Sequence, residues 1–174
     1  MEFEFTLKFS VSANQGSPDE LVERLGAAGC EDALIGIGQA GRIALEFARE
    51  ADSAKRAVVS ALVAVKTAIP GAKLLEVVPD FVGLTDVAGY VGVTRQNIRK
   101  LMLAHRDQFP APVHEGSTAL WHLLPVLVWL HDRAGYSIPS TLFEVAHIAM
   151  QINIVKEATQ IQRSVRRELV DLVA

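Results

Sequence analysis

LTDVAGYVGVTRQNIRKLMLAHRDQFPAPV, residues 84–113, has the pattern of two short helices, a tight turn between them and an abrupt extended segment after them. Either Thr85 or Asp86 can cap the first helix, which runs through Val87, Ala88 and Tyr90. Ala88 is small where two helices must cross closely. Gly92 falls in the turn, where a left-handed backbone costs glycine little. Val93 is the expected buried turn residue, and Thr94 caps the second helix. Ile98 and Leu101, with Met102 beside them, face inward. Arg95, Gln96, Asn97, Arg99 and Lys100 are left at the helix start or on the outer side. This fits a helix-turn-helix. It also suits a helical hairpin whose polar face is merely solvated.

Arg, Gln and Asn are the side chains suited to bidentate contacts with base edges. Lys100, with the Thr94 hydroxyl and nearby backbone amides, suits phosphate. The continuation strengthens the nucleic-acid reading. After Phe109, PAPV must be extended, because Pro110 and Pro112 lack a backbone donor. HEGST is then a turn, ALW returns as a second short strand, and Pro125 opens a further helix, PVLVWLHDR.

With these residues in place, TDVAGYVGVTRQNIRKL, FPAPV…G…ALW and PVLVWL, the chain resembles the winged helix-turn-helix family of MerR-like, AlpA- and excisionase-type regulators. The resemblance covers residues 83–132. It implies that the second helix enters the major groove of double-stranded DNA and that the wing touches backbone or minor groove. Carried over, the helix residues are Thr94, Arg95, Gln96, Asn97, Arg99 and Lys100, and the wing residues are His114, Ser117 and Thr118. One departure stands out. Family wings often carry Arg or Lys, whereas this one places Glu115 at its tip, where a carboxylate repels phosphate.

Charge is unevenly distributed. The formal net charge is -3, from 17 Lys+Arg and 20 Asp+Glu, and a general nucleic-acid binder is usually basic. Residues 1–80 hold 8 basic and 12 acidic side chains, a net of -4, while residues 81–138 hold 5 and 4. Arg95, Arg99, Lys100 and Arg106 lie close together, opposed only by Asp107. The acidity therefore belongs mainly to the first eighty residues. One cysteine, Cys30, cannot make an internal disulfide, and a reduced, cytoplasmic setting is the simpler reading. The start MEFEFTLKFS does not read as a signal peptide, and the longest apolar runs are too short to span a bilayer.

The first eighty residues read as β-α-β-β-α-β. FEFTLKF alternates Phe3, Phe5, Leu7 and Phe9 with polar residues, as a half-buried strand does. Ser17, Pro18 and Glu20 form a capping box at a helix start, and the glycines at 26 and 29 end that helix. ALIGIG and RIALEFA are two strands joined by a tight GQAG hairpin. DSAKRAVVSALVAVKTAIPG is a second helix, capped by Asp52 or Ser53, with Val58, Leu62, Val65 and Ile69 on one face. AKLLEVVP is the last strand. The order is that of a ferredoxin-like domain, an antiparallel sheet with two helices on one face. The glycines of GIGQAG lack the strand-to-helix setting of a phosphate loop.

The histidines at 105, 114, 122, 131 and 147 form no HxxxH or HExxH pattern, and residues 1–80 contain none. No metal or cofactor is expected, and no nucleophile–base pair suggests an enzyme. Trp121 and Trp129 are expected to anchor the wing and the helix after it. From Pro139 onward the chain reads as one long helix, with Ser140 or Thr141 near its start and Glu144 completing a capping box with Thr141. Its stripe of Leu142, Val145, Ala149 and Ile152, continued by Val155, Ile161, Val165 and Leu169, is too long for a small core and suits self-association.

The expected architecture is α+β. A ferredoxin-like domain spans 1–79, a winged helix-turn-helix spans 83–133, and a dimerisation helix spans 139–172. The expected function is a sequence-specific transcriptional regulator binding double-stranded DNA as a homodimer. The N-terminal domain would sense a small ligand or contact a second protein, and an autoregulating antitoxin is one specific version. The rival is an adaptor whose winged helix-turn-helix faces protein.

Overall fold

The computed structural model describes residues 1–173, which form an α+β chain with seven α-helices and a four-stranded antiparallel sheet. Strand β1 is Glu2–Ser10, helix α1 Pro18–Ala27, β2 Ala33–Gly36, β3 Arg42–Glu50, α2 Ala54–Ala68 and β4 Lys73–Val78. The sheet order is β2-β3-β1-β4. Leu7 of β1 lies opposite both Leu45 and Val77, and Phe5 opposite Phe47. The period of two turns Phe3, Phe5, Leu7 and Phe9 all into one core. It turns Glu2, Glu4 and Lys8 outward, and Glu2 lies directly across from Glu50.

The helix ends follow local chemistry. The Ser17 hydroxyl accepts from the Glu20 N–H while the Glu20 carboxylate accepts from the Ser17 N–H, the reciprocal capping box. Ser53, rather than Asp52, caps α2 through the Arg56 N–H. The β2–β3 connection is wider than a two-residue hairpin. It spans Ile37–Gly41, and Gly41 has φ of 77° as its carbonyl accepts from the Val11 N–H.

After β4 the chain makes β5 (Phe81–Val82), α3 (Leu84–Tyr90), α4 (Arg95–Ala104), β6 (Trp121–His122), α5 (Leu123–Ala134), α6 (Ser140–Ala158) and α7 (Arg163–Val173). β5 and β6 pair antiparallel, Val82 opposite Trp121. Strand β5 was not anticipated, because two residues carry no readable alternation. Around it forms a second core that includes Val87, Ala88, Ile98, Phe109, Trp121, Leu127 and Leu130. Helix α6 serves both cores. Val145 and Ala149 pack in the first, and the adjacent Ala146 packs in the second.

The C-terminal segment differs from expectation. It is two helices, broken between Ala158 and Arg163. Val145 and Ala149 are buried within the chain itself, and Ile152 packs beside them. That half of the stripe is therefore not a free dimer seam. Among the stripe residues, Val155, Ile161, Val165 and Leu169 are uncovered. Thr141 makes no cap either. Pro139 stands at the N-cap, and the Glu144 carboxylate accepts instead from the Ala54 N–H at the start of α2, 3.3 Å away. A long-range partner took the side chain that a local motif would have used.

Candidate nucleic-acid interface

Helices α3 and α4 are joined by a turn in which Gly92 has φ of 69°, a conformation glycine adopts without strain. Leu84, Val87, Ala88 and Ile98 bury one side of the pair. Thr94 is the N-cap of α4, and its Oγ1 accepts from the Asn97 N–H at 3.2 Å. Two local readings need correction. Neither Thr85 nor Asp86 is the N-cap of α3. Gly83 holds that position in extended backbone, and the Asp86 carboxylate at N3 accepts from the Gly83 N–H at 2.8 Å. Val93 is half-buried rather than enclosed, because the turn lies at the rim of the second core.

Arg95, Gln96, Asn97, Arg99 and Lys100 are all exposed along α4, and Arg106 is exposed just beyond it. None of Arg95, Arg99, Lys100 and Arg106 forms an ion pair among the described residues. The burial of Ile98 fixes the rotation of the helix, so these polar groups face solvent together. The patch can donate several hydrogen bonds and carries no internal neutralisation.

The segment after α4 turns back on itself. The Val113 N–H donates to the Leu120 carbonyl at 2.8 Å, and the Leu120 N–H donates to the His114 carbonyl at 2.9 Å. His114, Glu115, Gly116, Ser117 and Thr118 are exposed at the tip. The stalk is anchored by aromatics. Phe109 stands edge-on to Trp121 at 6.2 Å and to Trp129 at 5.1 Å. The indole N–H of Trp121 donates to the Pro110 carbonyl at 2.9 Å. The hairpin therefore rests on a packed base, and Glu115, Ser117 and Thr118 at its tip are exposed.

A buried polar cluster at the foot of this hairpin escaped the sequence reading. Asp80 has no solvent exposure. Its Oδ1 lies 2.6 Å from Nδ1 of His122, and its Oδ2 accepts from the Asn153 side chain at 2.8 Å. Asn153, also without exposure, accepts from the Val77 N–H and donates to the Val77 carbonyl. The Asp80 carbonyl takes the Leu123 N–H at 2.7 Å, one of the first-turn donors of α5. The partners are 42 and 73 residues from Asp80 in the chain, and no local spacing joins them.

The other histidines are dispersed. His105 leans on Trp129, His131 bonds Asp132, and His147 bonds Gln151. Among the described residues no three His, Cys, Asp or Glu are grouped to hold a metal. No helix among them is long and apolar enough to cross a membrane.

A cleft of about 930 Å³ opens between the outward face of the sheet and the facing ends of α3 and α6. Glu2, Glu4, Glu46, Tyr90, Thr141 and Leu142 help to line it. Burial, and then the carboxylates of Asp86 and Glu76, push the Tyr90 phenol above its ordinary range. At the β2 side of the same cleft, Arg49 donates two hydrogen bonds to Asp32, each 2.7 Å, and lowers its carboxyl pKa. Burial raises the Cys30 thiol beside it.

Comparison of the chain with protein-family models, with curated proteins and with solved structures found no match.

Proposed function

We propose that this chain is a sequence-specific regulator that binds double-stranded DNA through α4 and the hairpin of residues 113–120. The observation that carries the proposal is the outer face of α4. Arg95, Gln96, Asn97, Arg99 and Lys100 are exposed together on a helix whose rotation is fixed by buried Ile98. Bidentate donors near the start of a helix suit base edges, and the cations suit phosphate. In this reading residues 83–133 are a winged helix-turn-helix, with His114, Ser117 and Thr118 as the wing contacts. Residues 1–79 are a ferredoxin-like domain, with the order β2-β3-β1-β4 in support. The acidic cleft beside Tyr90 is where a small ligand or second protein would act on it.

The working form is a homodimer, since two recognition helices read a two-fold site where one has limited specificity. Helix α7, with Val165 and Leu169 exposed, is the segment left to join subunits. An autoregulating antitoxin is one such arrangement.

A salt titration of binding to the DNA upstream of the chain's own coding sequence tests the proposal. Affinity that falls steeply with salt supports it. No binding at low salt by folded protein overturns it. The second reading, an adaptor with a protein-facing winged module, draws on Glu115, which is exposed at the wing tip where phosphate would lie. That outcome would leave the module intact and DNA unbound.

A further inference from the structure

We infer that Asp80, His122 and Asn153 are positioning residues for the wing: they hold the foot of the 113–120 hairpin against the sheet domain and so set its angle to α4. As a statement about DNA binding, the inference rests on the reading proposed above. The geometry has three parts. His122 ends β6, and two residues earlier Leu120 makes the bridge to His114 that closes the wing. The imidazole is gripped on one side by Asp80 at 2.6 Å, and the Phe81 ring lies 5.1 Å away, centroid to centroid. The carboxylate is itself fixed by Asn153, which binds both backbone groups of Val77 on the edge of β4.

Each partner lies on a different element. Val77 belongs to the sheet, Asn153 to α6, His122 to the wing strand, and Asp80 to the link between β4 and β5. A fully buried carboxylate tolerates only positions that keep its hydrogen bonds. Tilting the wing strand away from the sheet would leave Asp80 Oδ1 without its hydrogen-bond partner. The wing is thereby coupled to the sheet and to α6 rather than to its own short hairpin alone. None of the three residues needs to touch DNA to alter how the wing meets it.

Two variants of the full chain separate positioning from general stability. His122→Ala removes the bond to Asp80. His122→Asn keeps a donor near the place of Nδ1. Hydrogen exchange of the free protein is read at the amides of Val113, His114 and Leu120, with Ile98 of α4 as the reference. The expected result is exchange accelerated at the three wing amides at least tenfold more than at Ile98 in His122→Ala, and near wild-type rates in His122→Asn. On the upstream duplex, His122→Ala should lose about tenfold in affinity and the hydroxyl-radical protection at the outer edges of the footprint. Protection at its centre should persist. Equal exchange in the two variants, or a rise at Ile98 as large as that at the wing amides, overturns the inference. Wing-selective exchange with centre and edge protection lost together overturns its extension to DNA. If wild-type protein binds no DNA, the functional proposal fails, and the exchange measurement still decides whether the cluster positions the wing.

Discussion

Nδ1 of His122 lies 2.6 Å from Oδ1 of Asp80, a carboxylate with no solvent exposure, across 42 residues of chain. The pair joins β6, which follows the 113–120 hairpin, to the link that leaves the sheet. Removing the partner of a fully buried carboxyl oxygen leaves that oxygen unsatisfied, at a cost of about 1–3 kcal/mol. Urea unfolding of His122→Ala should show a loss of about that size, with less than half of it in His122→Asn, which retains a donor. Equal losses would mean that the ring's packing on Phe81, and not the bond to Asp80, stabilises this junction.

Arg95 and Lys100 should fail differently. If Arg95 reads a base edge, Arg95→Ala should reduce discrimination between cognate and mismatched duplexes by roughly 1–3 kcal/mol. If Lys100 touches phosphate, Lys100→Ala should weaken all sequences alike and reduce the slope of log affinity against log salt by about 1. Both side chains are exposed, so neither change should move the unfolding midpoint appreciably. Identical effects of the two variants on every duplex would remove Arg95 from the readout.

Ending the chain after Gln162 removes α7. No residue of that helix is buried, so unfolding free energy per chain should change by no more than about 0.5 kcal/mol when measured on dilute protein. If α7 joins subunits, light scattering should show a larger particle for the full chain and a monomer for the truncated one at the same concentration. A truncated chain that still dimerises would move the subunit contact elsewhere, and the acidic face of the sheet would be the next surface to vary.

Acid should find Asp32. Arg49 holds the Asp32 carboxyl below its ordinary range through two hydrogen bonds. The folded pKa is thus lower than the unfolded one. The resulting stability is complete above the unfolded value, about 4, and is lost as pH falls through the folded value. About a third of the Asp32 side chain is exposed, which screens the pair. Asp32→Asn should therefore cost only about 1 kcal/mol at pH 7. The gap between variant and wild type should close as pH falls below about 4. A gap that stays constant down to pH 2 would assign the loss to geometry rather than to charge.

Several features depend only on neighbours a few residues apart, and these were legible. Ser17, Pro18 and Glu20 make a capping box within a single helical turn, and Thr94 caps α4 through Asn97. The alternation of Phe3, Phe5, Leu7 and Phe9 named one buried face, since successive strand residues point to opposite sides. The exposed set on α4 followed in the same way from the placement of Ile98. The boundaries that failed were those where tertiary partners competed with local ones. Glu144 could have joined a local cap with Thr141 and went instead to Ala54.

By itself, then, the amino-acid sequence determined most of the periodic elements, the caps of α1 and α4, and the polar residues that α4 presents, because each of these is decided within a turn or a strand. Tertiary structure alone decided that α6 lies between two cores, that a short β5 exists to receive β6, and that Asp80 is buried. The physical reason is range. Val145 and Ala146 are consecutive in the chain yet enter different cores. Asp80 is tolerable inside only because His122 and Asn153, brought from 42 and 73 residues away, meet its two oxygens.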